Sequence, residues 1–455
     1  MEDLMVSVSG IRGVFGTGIT PEFVCKIASK FGLFCRRGTI VVGRDSRTTG
    51  KIMLHSIKAG LLAVGCRVID IGVVPTPTVL ISVKDKNANG GISITASHNL
   101  AQWNAMKFAG KNGMFLSPEK IKKFISTLDS PIEFSKWNKV GSVECDKFAV
   151  ENHVKKILSI PFLDIKSIRE KNFKVAVDNV NGAGGKICEI LLKKLNCTVV
   201  GINTQPTGIF AHNPEPLNKN LSQLKKCVVK NGADIGFATD PDVDRLAIVN
   251  EKGEAIGEEH TLPLCADFVL PRVGGDYVVN LSSSSVNDDI AKKHKTQIYR
   301  TKIGEINVSN KMKEIGSHIG GEGNGGVILP AVNLSRDASC GIAIILSSMA
   351  TKNKTISELD KVLPKYHFAK DRIDTSIGKL DYLMERAKKL QKDNNFLDGK
   401  SLINTVDGIK LLSKDSWVHI RKSGTEPIIR VFAESTSKVK ATKLCEYTKN
   451  FLNNL

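Results

Sequence analysis

Three times along this chain an apolar, β-branched run stops abruptly in a loop of unusual composition, and this recurrence restricts the fold more than any other feature. An apolar run that ends abruptly in small and polar residues reads as a buried strand that delivers a side chain to the rim of a sheet. Gly90-Gly91-Ile92-Ser93-Ile94 runs into Thr95-Ala96-Ser97-His98-Asn99, and Asp234-Ile235-Gly236-Phe237-Ala238-Thr239 runs into Asp240-Pro241-Asp242-Val243-Asp244-Arg245. A third pass gives a strand at 277–281 and, after Ile319, the loop Gly320-Gly321-Glu322-Gly323-Asn324-Gly325-Gly326.

Helical and strand patterns alternate around these runs. Strands at 39–43 and 67–71 flank a helix at 51–64, with Ile52, Ile57, Leu61 and Leu62 at helical spacing and Thr48 or Thr49 as its cap; another helix lies near 118–128. A strand at 175–178, a helix at 186–195, a strand at 197–202 and a helix at 222–231 closed by Gly232 repeat the plan. The fold class is therefore α/β, with three units alike in topology. From about 371 the pattern changes to a helix at 376–392, short strands, a hairpin-like stretch at 417–431 and a last helix with Ala441, Leu444, Cys445, Phe451, Leu452 and Leu455 on one face. That composition indicates a smaller α+β unit.

Composition narrows the class. A chain of 455 residues divides into roughly three or four domains, and 41% hydrophobic with 24% charged residues is that of a soluble protein. No run is long enough to span a membrane, and the acidic start Met1-Glu2-Asp3-Leu4 lacks a secretory pattern. Ten cysteines stand singly with no C-x-x-C pair, as in a cytoplasmic protein with reduced thiols. The net charge of +19 suits either nucleic acid or phosphorylated metabolites. Its dispersal in pairs such as Lys122-Lys123 and Lys225-Lys226 also describes an ordinary solvated surface.

The loops suggest chemistry. A serine hydroxyl is a weak nucleophile, so Ser97 beside His98 points to covalent chemistry with a neighbouring base or to a phosphorylated serine; a simple Ser-Asn turn is the plain alternative. Asp240, Asp242 and Asp244 alternate, so an extended loop stiffened by Pro241 can turn all three carboxylates toward one hard cation such as Mg²⁺; a solvated acidic turn is the plain alternative. The glycine and terminal glutamate of an EF-hand are out of place. Three carboxylates leave a divalent ion short of ligands, and a phosphate on Ser97 supplies a further oxygen, which joins the two loops into one site. Gly321, Gly323 and Gly326 form a G-x-G-x-x-G, but Val327-Ile328-Leu329-Pro330 follows instead of a helix, which argues against dinucleotide binding. Glu322 and Asn324 suit vicinal hydroxyls better. Arg421 and Arg430, with the hydroxyls of Ser423 and Thr425 and the freedom of Gly424, suit a phosphate dianion.

Together the four loops resemble the α-D-phosphohexomutase superfamily over essentially the whole chain: Thr-Ala-Ser-His-Asn at 95–99 is similar to its phosphoserine loop, Asp-Pro-Asp-Val-Asp-Arg at 240–245 to its metal loop, Gly-Glu-Gly-Asn-Gly-Gly at 321–326 to its sugar loop and Arg-Lys-Ser-Gly-Thr-Glu-Pro at 421–427 to its phosphate loop. The resemblance implies three α/β domains with mixed sheets, at 1–152, 153–255 and 256–370, and a C-terminal domain at 371–455, around a central cleft. It implies a phosphorylated Ser97, Mg²⁺ held by Ser97, Asp240, Asp242 and Asp244, and a hexose bisphosphate as intermediate and activator. His98 and Lys107 become the candidates for proton transfer, Arg12 and Arg245 the phosphoryl-positioning arginines, and Gly304, Glu322, Asn324, Arg421, Ser423, Gly424, Thr425 and Arg430 the substrate-binding set. The expected partners are sugar phosphates, with no nucleic acid or membrane, in a cytoplasmic monomer or homodimer.

The chain departs from the family pattern at Leu100, where proline is frequent, at Ala105, where glycine often follows Asn104, and at Gly326, where many bacterial members carry histidine. Its Asn-Gly-Gly loop and its opening Ser-Val-Ser-Gly-Ile-Arg-Gly resemble the archaeal-type branch associated with glucosamine phosphate. A broad phosphomannomutase/phosphoglucomutase is the rival within the family, and a nonenzymatic nucleic-acid-binding or scaffold protein the rival outside it.

Overall fold

The computed structural model describes residues 4–7, 10–393, 396–397, 401–423 and 428–453. Four sheets account for its strands, and the first three share one arrangement. In the first, Thr39–Arg44, Arg67–Val73 and Gly90–Ile94 are parallel, with Thr39–Arg44 in the middle, and Trp103–Gly110 returns antiparallel beside Gly90–Ile94. In the second, Lys174–Asp178 lies between Thr198–Ile202 and Ile235–Thr239, and Leu246–Val249 returns antiparallel beside the latter. In the third, Tyr277–Asn280 lies between Ile298–Thr301 and Ile319–Glu322, with Gly326–Leu329 returning. The chemistry-bearing loop occupies the same place each time, between the third parallel strand and its antiparallel return. Extra strands widen the first sheet to seven and the third to five.

Burial explains the apolar runs: Gly90–Ile94, Ile235–Thr239 and Ile319–Glu322 are buried at every position, as strands covered on both faces must be. Local signals set several helix ends. Thr20 with Pro21 opens Pro21–Phe34, its hydroxyl accepting from the Phe23 N–H at 3.2 Å, and Thr355 with Glu358 forms a capping box. Thr49 precedes the helix Gly50–Ala63 but does not cap it; its hydroxyl accepts from Asn104 instead. The expected helix at 118–128 is Pro118–Ile125, and that at 376–392 is the α-helix Leu380–Lys389 between two short 3₁₀ turns. Much of the glycine-rich loop is strand, leaving only residues 323–325 as the turn.

One hydrophobic core runs through the first three units, from Val41 and Ile69 through Val150, Ile187 and Phe237 to Phe268, Val279 and Ile345. The fourth unit, an antiparallel five-stranded sheet with the helix Lys438–Asn453, has its own core. It meets the third along a polar seam: Lys410 Nζ donates to the Leu281 carbonyl at 2.7 Å, His419 pairs with Ser282 at 2.7 Å, and Glu434 accepts from the Ser285 N–H at 3.0 Å.

The outer face of the first sheet is packed by Phe31, Phe34, Phe108 and Phe124, with ring centroids 4.8 to 6.4 Å apart. Phe124 is fully buried at their centre. Phe124→Ala is expected to destabilise the first unit by about 3–5 kcal/mol, read from its urea-unfolding midpoint; a change below about 1 kcal/mol would contradict this packing.

Candidate active site

The strand Gly90–Ile94 delivers Ser97 in a left-handed backbone conformation, φ +50°, which a non-glycine residue adopts at a cost and only where its surroundings enforce it. The enforcing group is Arg47. Its guanidinium, 1% exposed, donates to the carbonyls of Ser97 at 2.7 Å, Asn99 at 2.6 Å, Leu100 at 2.7 Å and Trp103 at 2.9 Å, and its Nε to Asp45 at 3.1 Å. Asp45 in turn accepts from Thr95, whose hydroxyl accepts from the Ser97 N–H. Asp45 and Arg47 follow the strand expected at 39–43, and an Asp–Arg pair immediately after a buried strand is the signal that the sequence carries for them.

The second loop meets this one directly. Ser97 Oγ donates to Asp240 Oδ2 at 2.9 Å. The other Asp240 oxygen accepts from the N–H groups of Asp244 and Arg245, which curls the loop, and Val243 takes φ +64° at the bend. Asp242 Oδ2 accepts from Thr76 Oγ1 at 2.7 Å and Lys107 Nζ at 2.8 Å, and Asp244 Oδ2 from Arg336 Nη2 at 2.5 Å. All three acids are at most 1% exposed, with a carboxylate oxygen from each within 4.8 Å of the others. Asp242 Oδ1 and Asp244 Oδ1 are buried without a hydrogen-bond partner.

Those two orphaned oxygens, in an all-oxygen donor set, fit a hard divalent cation. The charge pattern agrees. Burial, with Asp244 and Asp242 beside it, pushes the Asp240 carboxyl well above the usual range. Burial would do the same to Asp242, but Lys107 and the hydroxyl of Thr76 help to hold it below. Lys107 is held above its ordinary value by Asp242 and Asp244 against the opposing effect of its own burial, so it stands there as an ammonium.

His98 Nδ1 lies 3.3 Å from Ser97 Oγ, and its Nε2 lies 3.9 Å from Glu215. Burial first, then Arg245, Arg12 and Arg336, keep its imidazole well below the ordinary value, which leaves it neutral. Arg245 points to Glu215 at 3.2 Å, and Arg12 donates to Asn99 at 3.0 Å. Glu215, unmarked in the sequence reading, thus stands between a residue of the first loop and one of the second.

The third loop is a three-residue turn with Gly325 at φ +84°. Glu322, at the end of its strand, is 3% exposed and already engaged: Oε1 accepts from Asn280 at 2.9 Å and the Gly304 N–H at 3.0 Å, and Oε2 from Arg336 at 2.6 Å. Gly304 therefore supports Glu322. Asn324 Oδ1 is buried without a partner. Arg336 bridges this loop to the acid trio, a connection the sequence reading missed because nothing near residue 336 marks its distant partners.

On the fourth unit Arg421 and Arg430 lie directly opposite on paired strands, and Arg372 lies opposite Arg430 on its other side. Like charges abreast on a sheet are unfavourable unless an anion joins them. Burial lowers Arg421; Asp407, 3.5 Å away, and Glu322 work against that, and Arg430 reinforces it. Asp407 also accepts from the Ile303 N–H, tying this corner to the third unit. The Ser423 N–H closes the hairpin onto the Ile428 carbonyl; Gly424 and Thr425 lie outside the described residues.

Comparison with known proteins follows the same divisions. The chain matches the phosphoglucomutase/phosphomannomutase models for alpha/beta/alpha domains I, II and III over residues 4–132, 151–253 and 258–366, and that for the C-terminal domain over 375–450. It is 37% identical to a phosphoglucomutase/phosphomannomutase of Thermococcus kodakarensis, covering 96% of each chain. It is 33% identical to a probable phosphoglucosamine mutase of Methanopyrus kandleri, covering 96% of this chain and 95% of that one. A crystal structure of a phosphoglucomutase/phosphomannomutase family protein from Burkholderia thailandensis superposes with a TM-score of 0.84 at 25% identity, covering 99% of both chains.

Because the acid trio fits a divalent cation, Mg²⁺ at about a hundred times its dissociation constant is expected to stabilise the protein by about 2.7 kcal/mol. Thermal unfolding in Mg²⁺ and in chelator reads this directly. Asp242→Asn and Asp244→Asn should abolish the shift, and an equal shift in those variants would place the cation elsewhere.

Proposed function

The chain belongs to the phosphoglucomutase/phosphomannomutase family and is a phosphohexomutase, and from that premise we propose that it interconverts glucosamine 6-phosphate and glucosamine 1-phosphate through a phosphoserine at Ser97. The observation that carries the reading is the Ser97 hydroxyl held 2.9 Å from Asp240 at the edge of three buried carboxylates. Phosphoryl transfer asks for positioning and charge compensation more than for covalent help, and this arrangement offers both. The units carrying the loops are taken as 1–152, 153–255, 256–370 and 371–455.

In this reading a sugar hydroxyl oxygen forms the new bond to phosphorus as the bond to Ser97 Oγ breaks, giving a bisphosphorylated sugar; after that sugar turns around, the reverse step returns its other phosphoryl group to Ser97. Asp240, Asp242, Asp244 and the phosphoserine would hold Mg²⁺, which when bound supplies charge compensation at the phosphoryl oxygens. The proton leaves the sugar hydroxyl and is delivered to Ser97 Oγ; neutral His98, the nearer candidate, serves that transfer, and the Lys107 ammonium compensates charge. Arg12 and Arg245 orient the phosphoryl group. Glu322 and Asn324 read the sugar, and Arg421, Arg430, Ser423, Gly424 and Thr425 hold the phosphate that is not reacting.

The sugar assignment draws on the relative named a probable phosphoglucosamine mutase. The relative named phosphoglucomutase/phosphomannomutase favours a second reading, a mutase acting on glucose and mannose phosphates. Among the described residues no helix is long and apolar enough to cross a membrane.

Turnover of the 6-phosphates of glucosamine, glucose and mannose separates these readings. A clear preference for glucosamine is expected, and comparable rates would favour the second. Ser97→Ala is expected to abolish turnover of all three and to remove a one-phosphate increment from the intact mass; retained turnover would end the phosphoserine mechanism.

A further inference from the structure

The strand Asn333–Arg336 runs antiparallel to Gly326–Leu329 and brings Arg336 opposite Ile328, from where its side chain reaches Gly326 at the end of the turn. A Cβ placed on Gly326 would stand 2.3 Å from Arg336 Cδ and 3.0 Å from Cγ. The stalk of the arginine thus lies across the space a side chain at 326 would need. Beyond that point its guanidinium divides: Nη2 reaches Asp244 at 2.5 Å, Nη1 reaches Glu322 at 2.6 Å, and Nε lies 3.5 Å from Glu305. Glu305 also accepts from the Arg336 N–H at 2.9 Å. Arg336 is therefore the direct link between the acid trio of the second unit and the turn of the third, and a planar fork can address two carboxylates in fixed relative positions where an ammonium cannot.

We propose that Arg336 is a positioning residue for phosphoryl transfer: it holds Glu322 in register with Asp244, and residue 326 is glycine so that the arginine can pass. The positioning half rests on the mutase reading above; the steric coupling of 326 with 336 does not. Small displacements of groups around a reacting centre cost on the order of a hundredfold in rate, whereas binding of the remote phosphate depends on other residues.

The test is a double-mutant cycle on the full chain with Gly326→Ala, Arg336→Ser and both together, alongside Arg336→Lys. Each single change is expected to lower kcat about a hundredfold with KM within about fivefold of wild type. The double variant should fall within about threefold of the worse single, because the arginine is the group the alanine displaces most, 2.3 Å from its Cβ against 3.0 Å for Asn324 Oδ1. Arg336→Lys should recover little, since it restores charge without the fork. Thermal unfolding provides a readout independent of turnover: Gly326→Ala should lower Tm in the wild-type background and leave it unchanged in the Arg336→Ser background.

Losses that multiply in the double variant, a rise in KM with kcat intact, or full rescue by lysine would overturn the positioning role. Equal Tm losses in both backgrounds would overturn the steric coupling, including where a variant is too unstable for kinetics. A wild-type protein with no mutase turnover would instead sink the mutase reading and the positioning role with it, leaving the coupling to be judged by Tm alone.

Discussion

The arrangement depends on burying three carboxylates within contact of one another. Carboxylates about 4 Å apart repel by roughly 4 kcal/mol a pair at an effective dielectric of about 20, so Asp240, Asp242 and Asp244 can share this space only with cations among them. Lys107 meets Asp242 and Arg336 meets Asp244, each through one oxygen, and the second oxygen of each acid is buried with no hydrogen-bond partner. Asp240 receives the Ser97 hydroxyl and two backbone N–H groups, but no lysine or arginine at hydrogen-bonding distance. The unmet negative charge is thus concentrated beside the serine, where a divalent cation would offset it together with the charge of a phosphoryl group.

A repeated topology explains how residues from distant parts of the chain reach this point. In each of the first three sheets the loop lies between the third parallel strand and its antiparallel return, which is the carboxyl end of a central strand and the usual site of ligand binding in such sheets. The shared core of those units sets the three loops against one another, and direct contacts complete the join: Ser97 with Asp240, Arg336 with Asp244 and Glu322, and the Leu246 N–H with the Gly325 carbonyl at 3.0 Å. The fourth unit has a separate core and is held by polar contacts, so its arginines are placed by the seam at Lys410, His419 and Glu434.

Much of this was legible in the sequence because it is local. Strands buried on both faces read as continuous apolar runs, Gly232 marks a helix end, and Asp-Pro-Asp-Val-Asp displays its chemistry in five residues. The groups that escaped notice act over long separations. Arg47 works on carbonyls some fifty residues away, and those carbonyls have no signature in the sequence. Arg336 lies 92 residues from Asp244, and only the structure shows that the missing side chain at Gly326 and the arginine at 336 occupy the same space. Glycine suggests turns, so the glycine-rich stretch reads as a loop, yet pairing on both sides makes most of it strand.

In the proposed mechanism the Ser97 oxygen itself carries the phosphoryl group between substrate and product. Brief incubation with a hexose bisphosphate radiolabelled in its phosphates, followed by peptide mapping, tests it most directly. Label confined to the peptide containing Ser97, and discharged on adding unlabelled hexose monophosphate, is the predicted result. Label on another residue, or label on Ser97 that unlabelled substrate does not remove, would contradict it.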